Sequence, residues 1–236
     1  MQAVVPAAGD GTRLRPLTDD KPKGLVEVAD KPLLAHGFDR LVELDVDRIV
    51  VVIGYRGDQI RDRFGTSYRD TPLRYVTQET RLGLGHAVSQ AEPEIDDDFL
   101  VYNGDNVLQG SLRPVVDTDD QSDADAVLLV EDATRETARE TGVVTTDDEG
   151  TVTGLVEKPD DPPSTLVTTG VYLLPRSIFE DCRAIAPSDR GEYELVDAIE
   201  RLRERGGVVR TVTLDGWRCN VNTPRDVAKA TARLKE

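Results

Sequence analysis

Aromatic side chains are scarce in this chain of 236 residues, at 5%, with one Trp, six Tyr and four Phe. Lysine occurs only six times against 23 arginines, and cysteine twice, at Cys182 and Cys219. Each shortage excludes something. Two cysteines indicate no disulfide framework. No apolar stretch approaches the ~20 residues of a membrane span. The N-terminal run MQAVVPAAGDGTR lacks the basic start and long apolar core of a secretory signal, so the chain reads as soluble and cytoplasmic. Cationic excess is missing too. With 45 acidic against 29 basic side chains, the net charge is −16. A protein that binds nucleic acid or anionic membranes without regard to sequence needs clustered positive charge, so both partners are excluded. Internal repeats, low-complexity tracts and long linkers are absent as well.

What is present suffices for a core. Hydrophobic residues make up 38%, and runs such as Ile49–Val50–Val51–Val52–Ile53 supply buried strands. The length suits one large α/β domain or two small ones. Asp (29) outnumbers Glu (16), and acidic clusters stand at Asp96–Asp98, Asp117–Asp120 and Asp147–Glu149. Taken singly these read as solvated loops. Spread along a chain so poor in lysine, they point to adaptation to high salt, where screening weakens self-repulsion.

Hydrophobic periodicity places strands at Gln2–Ala7, Arg48–Ile53, Leu73–Val76 and Phe99–Tyr102, with helices at Pro32–Leu44, Asp58–Phe64 and from Leu84 between them. Strand–helix alternation over the first ~130 residues implies crossover units and a mainly parallel sheet. Further strands are expected at Ala126–Val130, Gly142–Thr146, Val152–Glu157, Val167–Leu174 and Val208–Leu214, and helices near Glu194–Leu202 and Pro224–Leu234. The expected architecture is a single domain over residues 1–236. Its first half, to about residue 130, would bind nucleotide, and the remainder would complete a cleft.

The most informative segment is Ala8-Gly9-Asp10-Gly11-Thr12-Arg13-Leu14-Arg15-Pro16, directly after the first strand, followed by Lys21-Pro22-Lys23. Glycines at a strand's C-terminal end let backbone N–H groups approach an anion closely. An Arg fork and a Lys point charge converging on one anion suit a polyphosphate. The dinucleotide fingerprint needs a third Gly where Leu14 stands, and the P-loop needs four residues between its glycines and then Lys-Ser/Thr. Neither fits.

Gly9–Pro16 with Lys21–Lys23 resembles the signature loop of the sugar-1-phosphate nucleotidyltransferases, and the resemblance continues in order along the chain. It takes in Gln78 with Gly83-Leu84-Gly85-His86-Ala87, Gly104-Asp105-Asn106, Glu157-Lys158-Pro159, Thr169-Gly170-Val171-Tyr172, Arg190-Gly191-Glu192-Tyr193-Glu194 and Gly216–Pro224. It implies an α/β, Rossmann-like three-layer nucleotidyltransferase fold with a mainly parallel mixed central sheet. The implied reaction joins a sugar-1-phosphate to a nucleoside triphosphate by in-line attack at the α-phosphorus, with release of pyrophosphate.

The same resemblance assigns roles. Arg13 would hold the β/γ-phosphates, and Lys23 the α-phosphate and the attacking phosphate. Ala8, Gly9, Gly11 and Thr12 would line the nucleotide, while Gln78 and Gly83 would read the base edge. Asp105 would bind Mg²⁺, with Asn220 as second ligand. Asn220 stands where many relatives carry Asp and Asn222 where they carry Gly; the lost charge should weaken Mg²⁺. Glu157 would accept from sugar hydroxyls and Lys158 meet the sugar phosphate, with Gly142, Thr169 and Gly170 approaching the sugar through their backbone. Arg190–Glu194 is as much a structural as a catalytic stretch. The segment Gly83–Val88, with His86, favours UTP, with dTTP next, and glucose-1-phosphate as the sugar. No C-terminal β-helix domain is expected after Glu236. The alternatives are a thymidylyltransferase, a cytidylyl- or guanylyltransferase of the same fold, and a catalytically silent nucleotide-sugar-binding protein. Homo-oligomerisation is left open.

Overall fold

A computed structural model describes residues 1–121 and 123–236. In chain order the elements are β1 (Gln2–Ala7), β2 (Glu27–Val28), β3 (Lys31–Pro32), α1 (Leu33–Val42), β4 (Arg48–Ile53), α2 (Gly57–Phe64), β5 (Ser67–Tyr68), β6 (Thr71–Thr77), α3 (Leu84–Ser89), β7 (Phe99–Tyr102) and β8 (Asn106–Gln109). There follow α4 (Arg113–Gln121), β9 (Ala126–Asp132), α5 (Arg135–Ala138), β10 (Gly142–Thr146), β11 (Val152–Glu157), β12 (Leu166–Leu174), α6 (Ile178–Ala184), α7 (Leu195–Glu204), β13 (Val209–Thr213), β14 (Trp217–Asn220) and α8 (Pro224–Leu234).

Near-continuous apolar strands are what a sheet covered on both faces requires, and successive residues do point to opposite layers. Val4, Val50 and Val52 pack on one side with Ala87 and Val88 of α3, Ile178 and Phe179 of α6, and Leu195 and Ile199 of α7. Their neighbours Ala3, Val5, Ile49, Val51 and Ile53 pack on the other with Leu34, Phe38 and Leu41 of α1 and Ile60 of α2. The result is the expected three-layer α/β/α arrangement.

The main sheet runs β11-β10-β12-β7-β1-β4-β6-β5, with β9 pairing β12 and β13 off that path. In the first half β1 pairs in parallel with β4 and β7, and β4 with β6. The second half attaches antiparallel through β12 on β7. The chain leaves β1 for β4 and β6 on one side, then returns for β7 on the other. The carboxyl ends of β1 and β7 therefore form the topological switch point, where open α/β sheets bind ligands. Backbone contact there is tight. Gly104 N–H donates to Pro6 O at 3.1 Å, and a Cβ on Gly104 would lie 2.7 Å from that same oxygen.

Local chemistry explains the ends of the helices. Thr223 and Asp226 form a reciprocal capping box on α8, with Pro224 in its first turn. At the end of α7 the chain turns at Gly206, whose φ is +101°, and Gly207 N–H returns to Leu202 O. The structure departs from the sequence expectation at the acidic run Asp117–Asp120, whose backbone continues α4 instead of forming a loop. Val115, buried on α4, anchors that helix to the sheet. Helix α6 and the antiparallel pair β8–β14 also escaped the periodicity, being short elements set by tertiary pairing. Among the described residues no helix is long and apolar enough to cross a membrane.

Replacing Gly104 by alanine is expected to destabilise the fold by about 1–3 kcal/mol, read as a lowered midpoint in chemical denaturation. An unchanged midpoint would show that β1 and β7 can part there without cost.

Candidate active site

The switch point opens into a cleft of about 1520 Å³ whose lining comes from both halves of the chain. Of the residues singled out from sequence, Ala8, Gly9, Arg13, Lys23, Gln78, Gly83, Asp105, Gly142, Glu157, Lys158, Thr169, Gly170 and Asn220 all face it. Gly11 and Thr12 do not line the cleft; they shape the loop. Gly11 has a φ of +63°, its carbonyl accepts from Leu14 N–H and from the Thr18 hydroxyl, and a Cβ there would meet Thr18 Cγ2 at 2.9 Å. Thr12 opens the single 3₁₀ turn that aims Arg13.

The charge centre of the cleft is the Lys23 ammonium. It donates to Asp105 Oδ2 and to Asn222 Oδ1, both at 2.8 Å, and Arg13 Nη2 donates to the same Asn222 oxygen at 3.0 Å. One amide thus draws together the two cations that sequence reasoning picked out. Asn222 itself was noted only as a departure from Gly; the signal that it mattered was the carbonyl oxygen gained by that change. Asp105 and the Asn222 segment are further joined by Val221 N–H donating to Asp105 O at 2.8 Å. Asn220 pairs with Asn106 across β14–β8, and its Oδ1 is buried without a hydrogen-bond partner among the described residues. Such an orphaned buried acceptor is unusual for native interiors. Asp105, Asn220 and Asn222 form an all-oxygen donor set that fits a hard divalent cation completed by ligand phosphates and water.

Opposite lies a second cluster. Burial pushes the Glu157 carboxyl above its usual range, against the lowering pull of Lys158. Lys158 Nζ lies 3.0 Å from Glu157 Oε1, and its backbone sits in the left-handed region at φ +46°. That conformation is costly for a non-glycine residue and concentrates at functional sites. Arg190 bonds Glu194 at 2.7 Å and stands 3.7 Å from Glu157. Gly142 is required by crowding, since a Cβ would lie 2.8 Å from Val196 and 3.1 Å from Glu157 Oε2. Gly170, at φ +81°, presses against Asn103. The Thr169 hydroxyl turns away to Leu129 O, while its carbonyl accepts from Asn106 Nδ2. Sequence reasoning missed Arg218, which also lines the cleft and whose guanidinium bonds Glu131 at 2.6 Å and reaches Asn106 at 3.4 Å.

The third part is the segment after β6. Gln78 is buried at the strand end, and residues 82–85 are laced to Tyr193 by Tyr193 N–H to Leu82 O and Gly85 N–H to Tyr193 O. This gives Arg190–Glu194 a structural role alongside its place beside Glu157. Neither histidine is placed as a general base: His36 bonds Val28 O, and burial lowers its pKa.

A Gly-shaped loop carrying Arg and Lys at the switch point, an acidic residue beside them and a second polar cluster on the same cleft define a nucleotide-handling group-transfer protein of the α/β class. Residues 2–236 match the nucleotidyl transferase family, and the chain belongs to that family. It is 45% identical over 236 residues to the UTP--glucose-1-phosphate uridylyltransferase AglF of Haloferax volcanii, covering 100% of this chain and 97% of that protein. It is 37% identical over 223 residues to a glucose-1-phosphate thymidylyltransferase of Streptomyces antibioticus, covering 92% of this chain and 61% of that protein. A UDP-glucose pyrophosphorylase solved with UDP-glucose superposes with a TM-score of 0.89 at 25% identity, over 99% of this chain and 98% of that one.

Because its pKa is raised on folding, Glu157 in its ionised form costs stability at neutral pH, and that cost is relieved as pH falls through the raised value. Glu157→Gln is therefore expected to keep or raise the neutral-pH unfolding midpoint. It should also reduce the stability gained as pH falls from neutral through that raised value. A clear loss of neutral-pH stability would contradict this reading of the site.

Proposed function

We propose that the chain transfers a nucleotidyl group from a nucleoside triphosphate to a sugar-1-phosphate, giving a nucleotide sugar and pyrophosphate. UTP is the favoured donor with dTTP next, and glucose-1-phosphate the favoured acceptor. The observation that carries this reading is the Arg13–Asn222–Lys23–Asp105 constellation facing the Glu157–Lys158 pair across one cleft. The relatives support the same chemistry.

In-line displacement at the α-phosphorus asks the protein for positioning and for neutralising charge on the phosphoryl oxygens. Lys23, at the join between the halves, meets the α-phosphate and the incoming phosphate in this reading, with Arg13 on the departing phosphates. A phosphate oxygen replaces Asn222 and Asp105 as acceptor for these cations, so binding exchanges one set of charge-assisted bonds for another. The sugar phosphate is already anionic at neutral pH and needs no general base. Lys158 takes that phosphate, and Glu157, held by Lys158 and Arg190, accepts from the sugar hydroxyls. Gln78 and Gly83 read the base edge. Mg²⁺ would be held by Asp105 with the amide oxygens of Asn220 and Asn222, and when bound it supplies charge neutralisation to the triphosphate. Residues to about 130 serve the nucleotide, and the rest serve the sugar phosphate, apart from Asn220 and Asn222, which reach back to the nucleotide side.

The test is pyrophosphate release with glucose-1-phosphate and Mg²⁺ at high KCl, comparing UTP, dTTP, CTP, GTP and ATP. UTP is expected to lead, with dTTP second. Lys23→Ala and Asp105→Ala should each lower kcat/KM by about 10²–10³-fold. Glu157→Gln should raise KM for the sugar phosphate by about tenfold. Near wild-type turnover in either of the first two variants would remove that residue from the mechanism, and silence with every triphosphate and sugar phosphate would sink the proposal.

A further inference from the structure

Gln78 and His86 are joined in a way that the proposed reaction does not use. Gln78 Nε2 donates to the Gly83 carbonyl at 3.2 Å and lies 2.8 Å from His86 Nδ1. A carbonyl oxygen can only accept, so the side of the amide turned to Gly83 must be its NH₂. Turning Gln78 over would set two carbonyl oxygens against each other. With the amide so assigned, His86 Nδ1 accepts the second amide hydrogen and the ring proton resides on Nε2; the Gln90 NH₂, 3.4 Å from Nε2, donates instead to His86 O and Ser89 Oγ, so the shorter 2.8 Å contact with Gln78 sets the tautomer. Both hydrogens of Gln78 are thereby spent inside the protein. Its Oε1 has no hydrogen-bond partner among the described residues and remains available in the cleft that Gln78 lines.

We propose that His86 is a positioning residue for nucleotide choice: with the Gly83 carbonyl it locks the Gln78 amide so that only an acceptor faces the base. An acceptor selects a base with a ring N–H on its pairing edge, the imide of uracil or thymine, and repels cytosine, whose N3 is itself an acceptor. This rests on the reading of Gln78 as the base reader. Remove the His86 acceptor, and the second hydrogen of a nearly buried amide loses its partner. Either orientation of the amide then leaves one of its polar atoms unpaired, so Gln78 no longer holds a single orientation, and NH₂-inward conformers that suit cytosine become accessible. Gly83 still favours the wild-type orientation, but through the longer of the two contacts alone.

The experiment measures kcat/KM for UTP, dTTP and CTP with glucose-1-phosphate in the wild type, His86→Leu, His86→Asn and Gln78→Ala, with unfolding midpoints to confirm folding. The wild type should prefer UTP to CTP. In His86→Leu the UTP:CTP ratio should narrow by about tenfold or more, while UTP:dTTP stays within about twofold, because those two share the ring N–H. His86→Asn sets an amide oxygen near the place of Nδ1 and should restore most of the lost ratio. If Gln78→Ala narrows UTP:CTP but His86→Leu leaves it intact, the positioning role is overturned and the base reading stands. A uniform loss across all three triphosphates in His86→Leu overturns it likewise, as a structural effect. If Gln78→Ala keeps the wild-type ratio, the base reading fails and takes this proposal with it.

Discussion

The Lys23 ammonium, held between Asp105 and Asn222 at 2.8 Å each, is the contact on which the rest of the molecule's arrangement depends. Its three participants come from the first loop, the end of β7 and the turn before α8, so the contact closes the chain's beginning onto its end. Parallel pairing of β1 with β7 brings Asp105 beside the loop, and antiparallel β8–β14 delivers Asn220 and Asn222. The long-range topology thus exists, in functional terms, to gather a few polar oxygens and two cations at one switch point. Only partly exposed, these groups are screened less than surface charges.

The charge balance of the chain acquires a meaning from this. A net charge of −16 would repel a triphosphate over most of the surface. Yet three of only six lysines, Lys23, Lys158 and Lys229, line the cleft, together with Arg13, Arg190, Arg218 and Arg225. Positive charge is concentrated where phosphate chemistry needs it and diluted elsewhere. The acidic exterior accords with the high-salt reading of the composition, and the cleft retains local attraction because its cations sit within a few ångströms of any bound phosphate.

The layered α/β fold was legible because strands buried on both faces announce themselves as unbroken apolar runs, as at Ile49–Ile53, and amphipathic helices such as α7 by their 3.6 period. Helix α4 was not, because its sequence is dominated by aspartates and its place is fixed by a few contacts with the sheet. The same divide runs through the site. Arg13, Lys23 and Asp105 stand in motifs with fixed spacing to glycine and could be picked out. Asn222, Arg218 and the pairing of His86 with Gln78 are meetings of side chains distant in sequence or turned toward one another by tertiary packing, and no local pattern encodes them. Gly11 illustrates the converse: a motif glycine whose positive φ shapes the backbone turn of the loop.

Transfer is direct, without a covalent enzyme intermediate, in the proposed reaction: among the described residues the cleft offers charge and positioning, and burial pushes the pKa of its one lining thiol, Cys219, up and away from activation. The measurement that bears on it most directly is exchange of labelled pyrophosphate into UTP, run with and without glucose-1-phosphate. No exchange is expected until the sugar phosphate is present. Exchange in its absence would mean that a side chain takes the uridylyl group first, and would contradict the mechanism.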